Sequence, residues 1–202
     1  SEMCIRDSNE LEPQRTSLDP VTIHADLSEW IIKVTGETNA IISEFDRPSG
    51  SGMSSETLLF ESTWGEAENE VHKKLVARLA PTDQDIPVFP NYNLSSQVKV
   101  MKLVEQLTDI KVPKVLWEEA SIDVLGVPFF VMEQIQGRVP PDIPPYVFGG
   151  WLFDATPESQ LQLQELCVGI IAQLHQIKQK SPDTDFLEFH TKGDTALKRH
   201  FT

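Results

Sequence analysis

The residues with the clearest chemical potential form a turn rich in glycine and serine, within residues 48–55. Glycine has no Cβ, so the backbone N–H groups of such a turn can approach phosphate oxygens closely, and serine hydroxyls add further donors. The turn is typical of a phosphate-binding loop or of a plain hairpin, because a lone Gly-x-Gly is a weak signal. Its candidate ligand-binding residues are Gly50, Ser51, Gly52, Met53, Ser54 and Ser55.

A cation follows this turn on an alternating apolar run, residues 74–80. The period of two predicts a strand with Val76 and Arg78 on one face and the intervening apolar residues on the other. If the strands pair in sequence order, Arg78 lies under the glycine turn and binds phosphate; otherwise it reaches solvent. Gln97, a polar residue in the apolar stripe of the next predicted helix, is then expected near Arg78.

Composition excludes several classes of function. The net charge is −14, from 31 acidic and 17 basic residues, so general binding of nucleic acid is not expected. No apolar run has the length of a membrane span, roughly 18 residues, and the N-terminus has no signal-peptide core. Two cysteines form neither a metal-ligand spacing nor a disulfide framework, which favours a reducing, cytoplasmic location.

The periodicities predict an α+β protein: a first helix over residues 21–34, about five antiparallel strands with one helix inserted, and a long helix that begins at Thr156-Pro157. Two apolar stripes on the long helix predict burial on more than one side. We expect residues 1–17 to be disordered or extraneous. Residues 18–134 form a sheet-containing lobe, and residues 135–202 form a connector followed by the start of a helical lobe.

Several short motifs occur in a characteristic order: Ser49–Thr57, Val76–Leu79, Phe89–Leu94, Gly126–Glu133 with Gly137–Pro140, Gly149–Leu152 and Ala172–His175. Each is weak alone. With these motifs in this order and spacing, the chain resembles the N-terminal part of the aminoglycoside phosphotransferases, a family of kinase-like small-molecule phosphotransferases. The resemblance covers residues 18 to 202 and implies a protein-kinase-like fold whose five-stranded lobe binds ATP.

The resemblance also implies roles for individual residues. The turn from Gly50 to Ser55 would cover the phosphates, and Arg78 stands where the family usually has a lysine. Met132 would border the adenine pocket, where Val76 packs on the ring. The Glu133 carbonyl and the Ile135 amide would meet the adenine edge, although the residues alone favour a plain strand end here.

Besides Arg78, two further features depart from the family. Gln97 replaces the expected glutamate partner of the strand cation, and the His-Gly-Asp-x-x-x-x-Asn loop of the family is absent from the sequence. Lys192-Gly193-Asp194 lacks the histidine. We therefore expect an N-terminal fragment with no catalytic residue of its own. When complete, it would use ATP and Mg²⁺ to phosphorylate a small-molecule hydroxyl. The alternative is a non-catalytic, pseudokinase-like module that binds a nucleotide or a protein.

Overall fold

The secondary structure confirms the predicted α+β class. A computed structural model of the chain describes residues 18–46, 56–82, 92–140 and 145–177, together with residues 186, 187 and 195. These ranges contain three α-helices and a five-stranded antiparallel sheet. The chain divides into two units, one of Ser1–Leu94 with Val115–Gly137 and one of Ser95–Lys114 with Arg138–Thr202. The sheet and the first helix belong to the first unit.

The sheet has the strand order β1-β2-β3-β5-β4, with every pair antiparallel. Its strands are β1 (Ile41–Ile42), β2 (Glu56–Trp64), β3 (Val71–Leu79), β4 (Val115–Glu119) and β5 (Phe129–Glu133). The helix inserted in the sequence between β3 and β4 is α2 (Leu94–Leu107), as predicted. The strand β3 is central, with β2 on one side and β5 on the other.

The first strand, β1, is only two residues long. The backbone N–H of Glu61 donates to the Ser43 hydroxyl at 2.9 Å, so a side chain takes the place of a backbone carbonyl there. The backbone rejoins the sheet at Asp46, which exchanges two hydrogen bonds of 2.8 Å with Leu59. Ser43 N–H still donates to the Glu61 carbonyl at 2.8 Å, so only one of the two backbone bonds of this pair is replaced by a side chain.

The first helix, α1 (Pro20–Thr35), begins and ends with strong local signals. The Asp19 carboxylate accepts the backbone N–H of Thr22 at 2.9 Å and its hydroxyl at 2.7 Å, and these bonds lower the pKa of Asp19 from its usual 3.8. Pro20 occupies the first helical position, where a missing N–H costs nothing. Gly36 ends the helix with φ of 75°, a left-handed conformation that suits glycine.

The apolar side of α1 packs on one face of the sheet and forms the core of the first unit. Trp30 lies at its centre, with its ring 4.7 Å from that of Phe129 and edge-on to Trp117 at 6.3 Å. The indole N–H of Trp30 donates to the Glu119 carboxylate at 3.2 Å, so the buried ring keeps a polar partner. The other buried members of the core are Ile23, Leu27, Ile31, Ala40, Leu58, Phe60, Leu75, Ala77, Leu79, Leu125, Val127 and Val131.

The long helix of the second unit is α3 (Pro157–Leu174). The Thr156 hydroxyl caps it, as the sequence predicted, by accepting the Ser159 N–H at 3.3 Å. The predicted burial of its two stripes was wrong, since α3 has no buried residue. A helix in a protein gains most of its stability by packing its apolar side chains against other elements. The apolar side chains of α3 are exposed instead. Its large exposed apolar residues are Leu161, Leu166, Val168, Ile170, Ile171 and Leu174.

Across the residues that the structure describes, none of the helices combines the length and the hydropathy that crossing a bilayer requires.

The core position of Leu27 predicts a large effect on stability. Leu27 is 0% exposed, whereas Val21 on the same helix is 77% exposed. Leu27→Ala should lower the free energy of unfolding by about 2–5 kcal/mol, because it removes buried methyl groups and leaves a cavity. Val21→Ala, the matched control, should change it by less than about 0.5 kcal/mol. Urea denaturation followed by circular dichroism measures both, and equal effects would contradict the placement of α1.

The turn between β2 and β3 predicts a glycine requirement. A Cβ added to Gly65 would lie 2.5 Å from the Asn69 carbonyl oxygen, and Gly65 has a φ of 90°. At Gly36, which is also left-handed, an added Cβ meets nothing within 4 Å. Gly36→Ala should therefore cost only the conformational penalty, about 1 kcal/mol, and Gly65→Ala clearly more. Chemical denaturation of both variants tests this, and a smaller loss for Gly65→Ala would refute it.

The Asp19 cap predicts a pH effect on α1. The folded pKa of Asp19 lies below its unfolded value, so the ionised cap stabilises the fold fully above the unfolded pKa. That contribution is lost as the pH falls through the folded pKa, below 3.8. Asp19→Asn keeps a capping oxygen without titrating, so its melting temperature should depend less on pH between 5 and 2 than that of the native chain. Parallel pH profiles for the two proteins would disprove the assignment.

Candidate functional site

Three of the predicted site residues come together on the sheet face that points away from α1. Leu75, Ala77 and Leu79 of β3 belong to the core beneath α1. Side chains alternate along a strand, so Val76 and Arg78 lie on the opposite face, as the sequence predicted. Val76 is the cross-strand partner of Met132 on β5. The strand register thus places Val76, Arg78 and Met132 side by side.

Arg78 is flanked by one residue on each neighbouring strand. Thr57 of β2 and Phe130 of β5 are its partners in the register. Directly opposed residues of antiparallel strands have Cβ atoms about 4.5–5.5 Å apart, so the guanidinium stem lies between a hydroxyl and an aromatic ring. Phe130 is buried and Arg78 is half-buried. At Arg78 the face therefore places a cation beside an apolar side chain.

The glycine turn lies outside the described residues, so the roles of Gly50, Ser51, Gly52, Met53, Ser54 and Ser55 stay predictions. The described residues on either side of the turn show where it joins the sheet. Asp46, before it, pairs with Leu59, and β2 begins after it at Glu56. Leu59 is the partner of Val76, and Thr57 is the partner of Arg78. Both flanks of the turn thus lead into the part of the sheet that carries the two β3 residues.

Gln97 lies on α2, and its side chain is half-buried. It belongs to the second unit, whereas Arg78 belongs to the first. Its expected proximity to Arg78 stays a prediction.

The end of β5 supplies the candidate base-binding segment. Ala80 N–H donates to the Pro128 carbonyl and Gln134 N–H to the Lys74 carbonyl, each at 2.9 Å. The backbone groups of alternate residues point to opposite sides of a strand. Those of Glu133 therefore point away from β3, whereas those of Gln134 point toward it. Ile135 lies beyond β5, with an exposed side chain.

Sequence reasoning missed an ion pair at this point. The Lys73 ammonium contacts the Glu133 carboxylate, and the two side chains are 34% and 37% exposed. Both residues lie on the α1 face of the sheet, at the margin of the core. The alternation of side chains along β3 and along β5 could have predicted which face of its own strand each residue occupies. The register that brings them together was not available from the sequence.

A second missed network lies on the opposite face, near the turn of β2 and β3. His72 contacts the Thr63 hydroxyl through Nδ1 at 3.0 Å and the Glu61 carboxylate through Nε2 at 3.2 Å. Lys74 contacts the other oxygen of Glu61 at 3.2 Å. All of these side chains are at least partly exposed. Cross-strand pairing of β2 and β3 creates this cluster.

Among the described residues, no group of three or more histidine, cysteine, aspartate or glutamate side chains is arranged to hold a metal ion. The Lys192-Gly193-Asp194 segment lies outside those residues.

No known family model matches this sequence. The chemistry available at the candidate site is therefore inferred from its geometry. It has a half-buried guanidinium that can bind an anion, an adjacent apolar pair of buried Val76 and half-buried Met132, and a strand end at which the Glu133 backbone groups point away from β3.

Proposed function

We propose that this chain carries the nucleotide-binding part of a kinase-like small-molecule phosphotransferase that resembles the aminoglycoside phosphotransferases. The observation that carries the proposal is the common face of Val76, Arg78 and Met132. Strand alternation and register put these residues together without reference to any family. The resemblance assigns the same three positions to ATP.

In this proposal Arg78 binds the α- and β-phosphates. A guanidinium suits phosphate because its planar set of donors can bond two oxygens at once. The pocket for the purine ring has Val76 on one side and Met132 beside it, where an apolar surface excludes water from a planar ring. Thr57, next to Arg78, adds a hydroxyl at the phosphate end.

The Glu133 carbonyl would accept a hydrogen bond from the base, and the Ile135 amide would donate one. Their support is the direction of the Glu133 backbone, which points away from β3. Adenine suits this arrangement because its exocyclic amine donates and its adjacent ring nitrogen accepts.

The complete enzyme would transfer the γ-phosphate of ATP to a hydroxyl of a small molecule. Mg²⁺, bound with the nucleotide, would neutralise the phosphate charge. The family holds the metal and the substrate proton with residues of its His-Gly-Asp loop, a pattern that the printed sequence does not contain. We therefore assign no catalytic residue to this chain, and its own part is to bind and orient the nucleotide.

A non-catalytic, pseudokinase-like module is the second candidate. Arg78 and Gln97 favour it, because arginine changes the geometry of a phosphate contact and glutamine removes the anionic partner. The two candidates differ in the residues of the natural protein beyond Thr202. A His-Gly-Asp loop followed by asparagine five residues after its aspartate would support the enzyme. The absence of any such loop would support the module.

Nucleotide titration tests the proposal directly. The chain should bind ATP saturably in isothermal titration calorimetry. Arg78→Ala should weaken binding about 10- to 100-fold, since a hydrogen bond to a charged group contributes about 1.5–3 kcal/mol. Lys74→Ala is the matched control, because Lys74 lies on the same strand and face but pairs with Glu61. It should change the affinity about two-fold at most.

A native chain that binds no ATP would refute the proposal. Equal losses for Arg78→Ala and Lys74→Ala would refute the specific role of Arg78, because they would indicate only a general effect of positive charge.

A further inference from the structure

Three side chains on the sheet face away from α1 form a series of hydroxyl, imidazole and carboxylate. Thr63 of β2 and His72 of β3 are cross-strand partners, near the opposite end of β3 from Arg78. The Thr63 hydroxyl lies 3.0 Å from His72 Nδ1, and a Glu61 carboxylate oxygen lies 3.2 Å from His72 Nε2. Both distances fall in the range, about 2.6–3.2 Å, at which a nucleophile, its base and an orienting group act together.

The surroundings of the His72 ring decide which of its nitrogens carries the proton. An ionised carboxylate only accepts hydrogen bonds, so Glu61 favours the tautomer of neutral His72 that has its proton on Nε2. The Lys74 ammonium contacts the other oxygen of Glu61 at 3.2 Å and helps to hold the carboxylate in place. Nδ1 is then the acceptor of the ring, and the Thr63 hydroxyl donates to it. The Thr63 oxygen therefore lies next to a base that can take its proton.

Thr63 is accessible to a reagent and has an apolar neighbour. Thr63 is half-buried and His72 is exposed. On the side away from His72, the strand register pairs Thr63 with Ile41 of β1, whose side chain is 65% exposed. Directly opposed residues of antiparallel strands project from the same face, with their Cβ atoms within about 5.5 Å of each other. The apolar part of an ester can therefore contact Ile41 while its carbonyl carbon approaches Thr63 Oγ.

We propose that Thr63 is a nucleophile that accepts an acyl group from an activated ester, with His72 as its general base. Thr63 Oγ attacks the carbonyl carbon, and its proton passes to His72 Nδ1. The tetrahedral intermediate then breaks its bond to the leaving oxygen, which takes that proton and departs as an alcohol or a phenol. The acyl group stays on Thr63 as an ester. Glu61 touches no reacting atom and is a positioning residue, which orients the imidazole and selects its tautomer.

This reaction is separate from phosphate transfer, for which the chain has no assigned catalytic residue. It needs no nucleotide, so the experiments below are decided independently of whether the chain binds ATP.

Acetylation by p-nitrophenyl acetate tests the proposal on the whole chain. Release of p-nitrophenol gives the rate, and peptide mass spectrometry locates the acetyl group, because thiols and amines also react with this probe. Thr63 should carry the acetyl group. Thr22 is the internal control, since it is exposed but its hydroxyl donates to the Asp19 carboxylate at 2.7 Å, and a carboxylate is a weaker base than imidazole. Thr22 should stay unmodified.

Variants of Thr63 and His72 test their separate roles. Thr63→Val keeps the shape of the side chain without the hydroxyl and should abolish acetylation at position 63, whereas Thr63→Ser should retain it. His72→Gln should slow acetylation at this position about 100-fold, the lower end of what a general base contributes. Circular dichroism of each variant checks that the sheet is intact. Acetylation of Thr63 no faster than that of Thr22, or equal rates in the native chain and His72→Gln, would overturn the proposal.

A pair of variants at Glu61 tests its positioning role. The amide of Glu61→Gln donates as well as accepts, so it no longer selects the proton on Nε2 of His72. It should slow acetylation of Thr63 about 10-fold, because the wrong tautomer cannot take the proton. Glu61→Asp keeps the charge on a shorter side chain and should recover part of the rate. An unchanged rate in Glu61→Gln, or equal losses in the two variants, would overturn the role of the Glu61 charge.

Discussion

The central strand β3 directs Leu75, Ala77 and Leu79 into the apolar layer beneath α1. Burial of these side chains fixes which face of the strand is internal, because a slip of one residue would expose all of them and bury Arg78. Val76 and Arg78 are then forced to the other face. Packing against α1 therefore decides the orientation of the candidate site, although no residue of α1 belongs to that site.

The alternation of side chains on β3 was readable from the sequence because it is a local property. The boundaries of α1 were readable for the same reason, since Asp19, Pro20 and Gly36 act on the nearest turn of the helix. The end of β1 at Ile42 was not readable. It depends on the Ser43 hydroxyl meeting a backbone N–H on β2, eighteen positions further along the chain.

The residues of the candidate site differ in the same way, because some of their positions follow from local periodicity and others depend on contacts between distant parts of the chain. Val76 and Arg78 were placed on a common face by periodicity alone, and Met132 joined them through a register that five consecutive pairs of β3 and β5 enforce. Lys73 and Glu133 are sixty positions apart, so only the assembled sheet reveals their contact. Gln97 was predicted from its position in an amphipathic stripe, and that periodicity defines a face of α2 but not its partner. The exposed α3 shows the same limit, because its two apolar stripes describe the helix and not its surroundings.

The two edge strands of the sheet affect whether another polypeptide can add to it. One edge is β1, only two residues long, and the other is β4, whose pairing with β5 shifts register between Val115 and Trp117. A long, straight and unpaired strand edge is a template on which another polypeptide can add a strand, the first step toward aggregation. A very short strand and a bulged one are poor templates, because neither offers a continuous row of donors and acceptors. Growth of this sheet into intermolecular β-structure is therefore disfavoured at both of its ends.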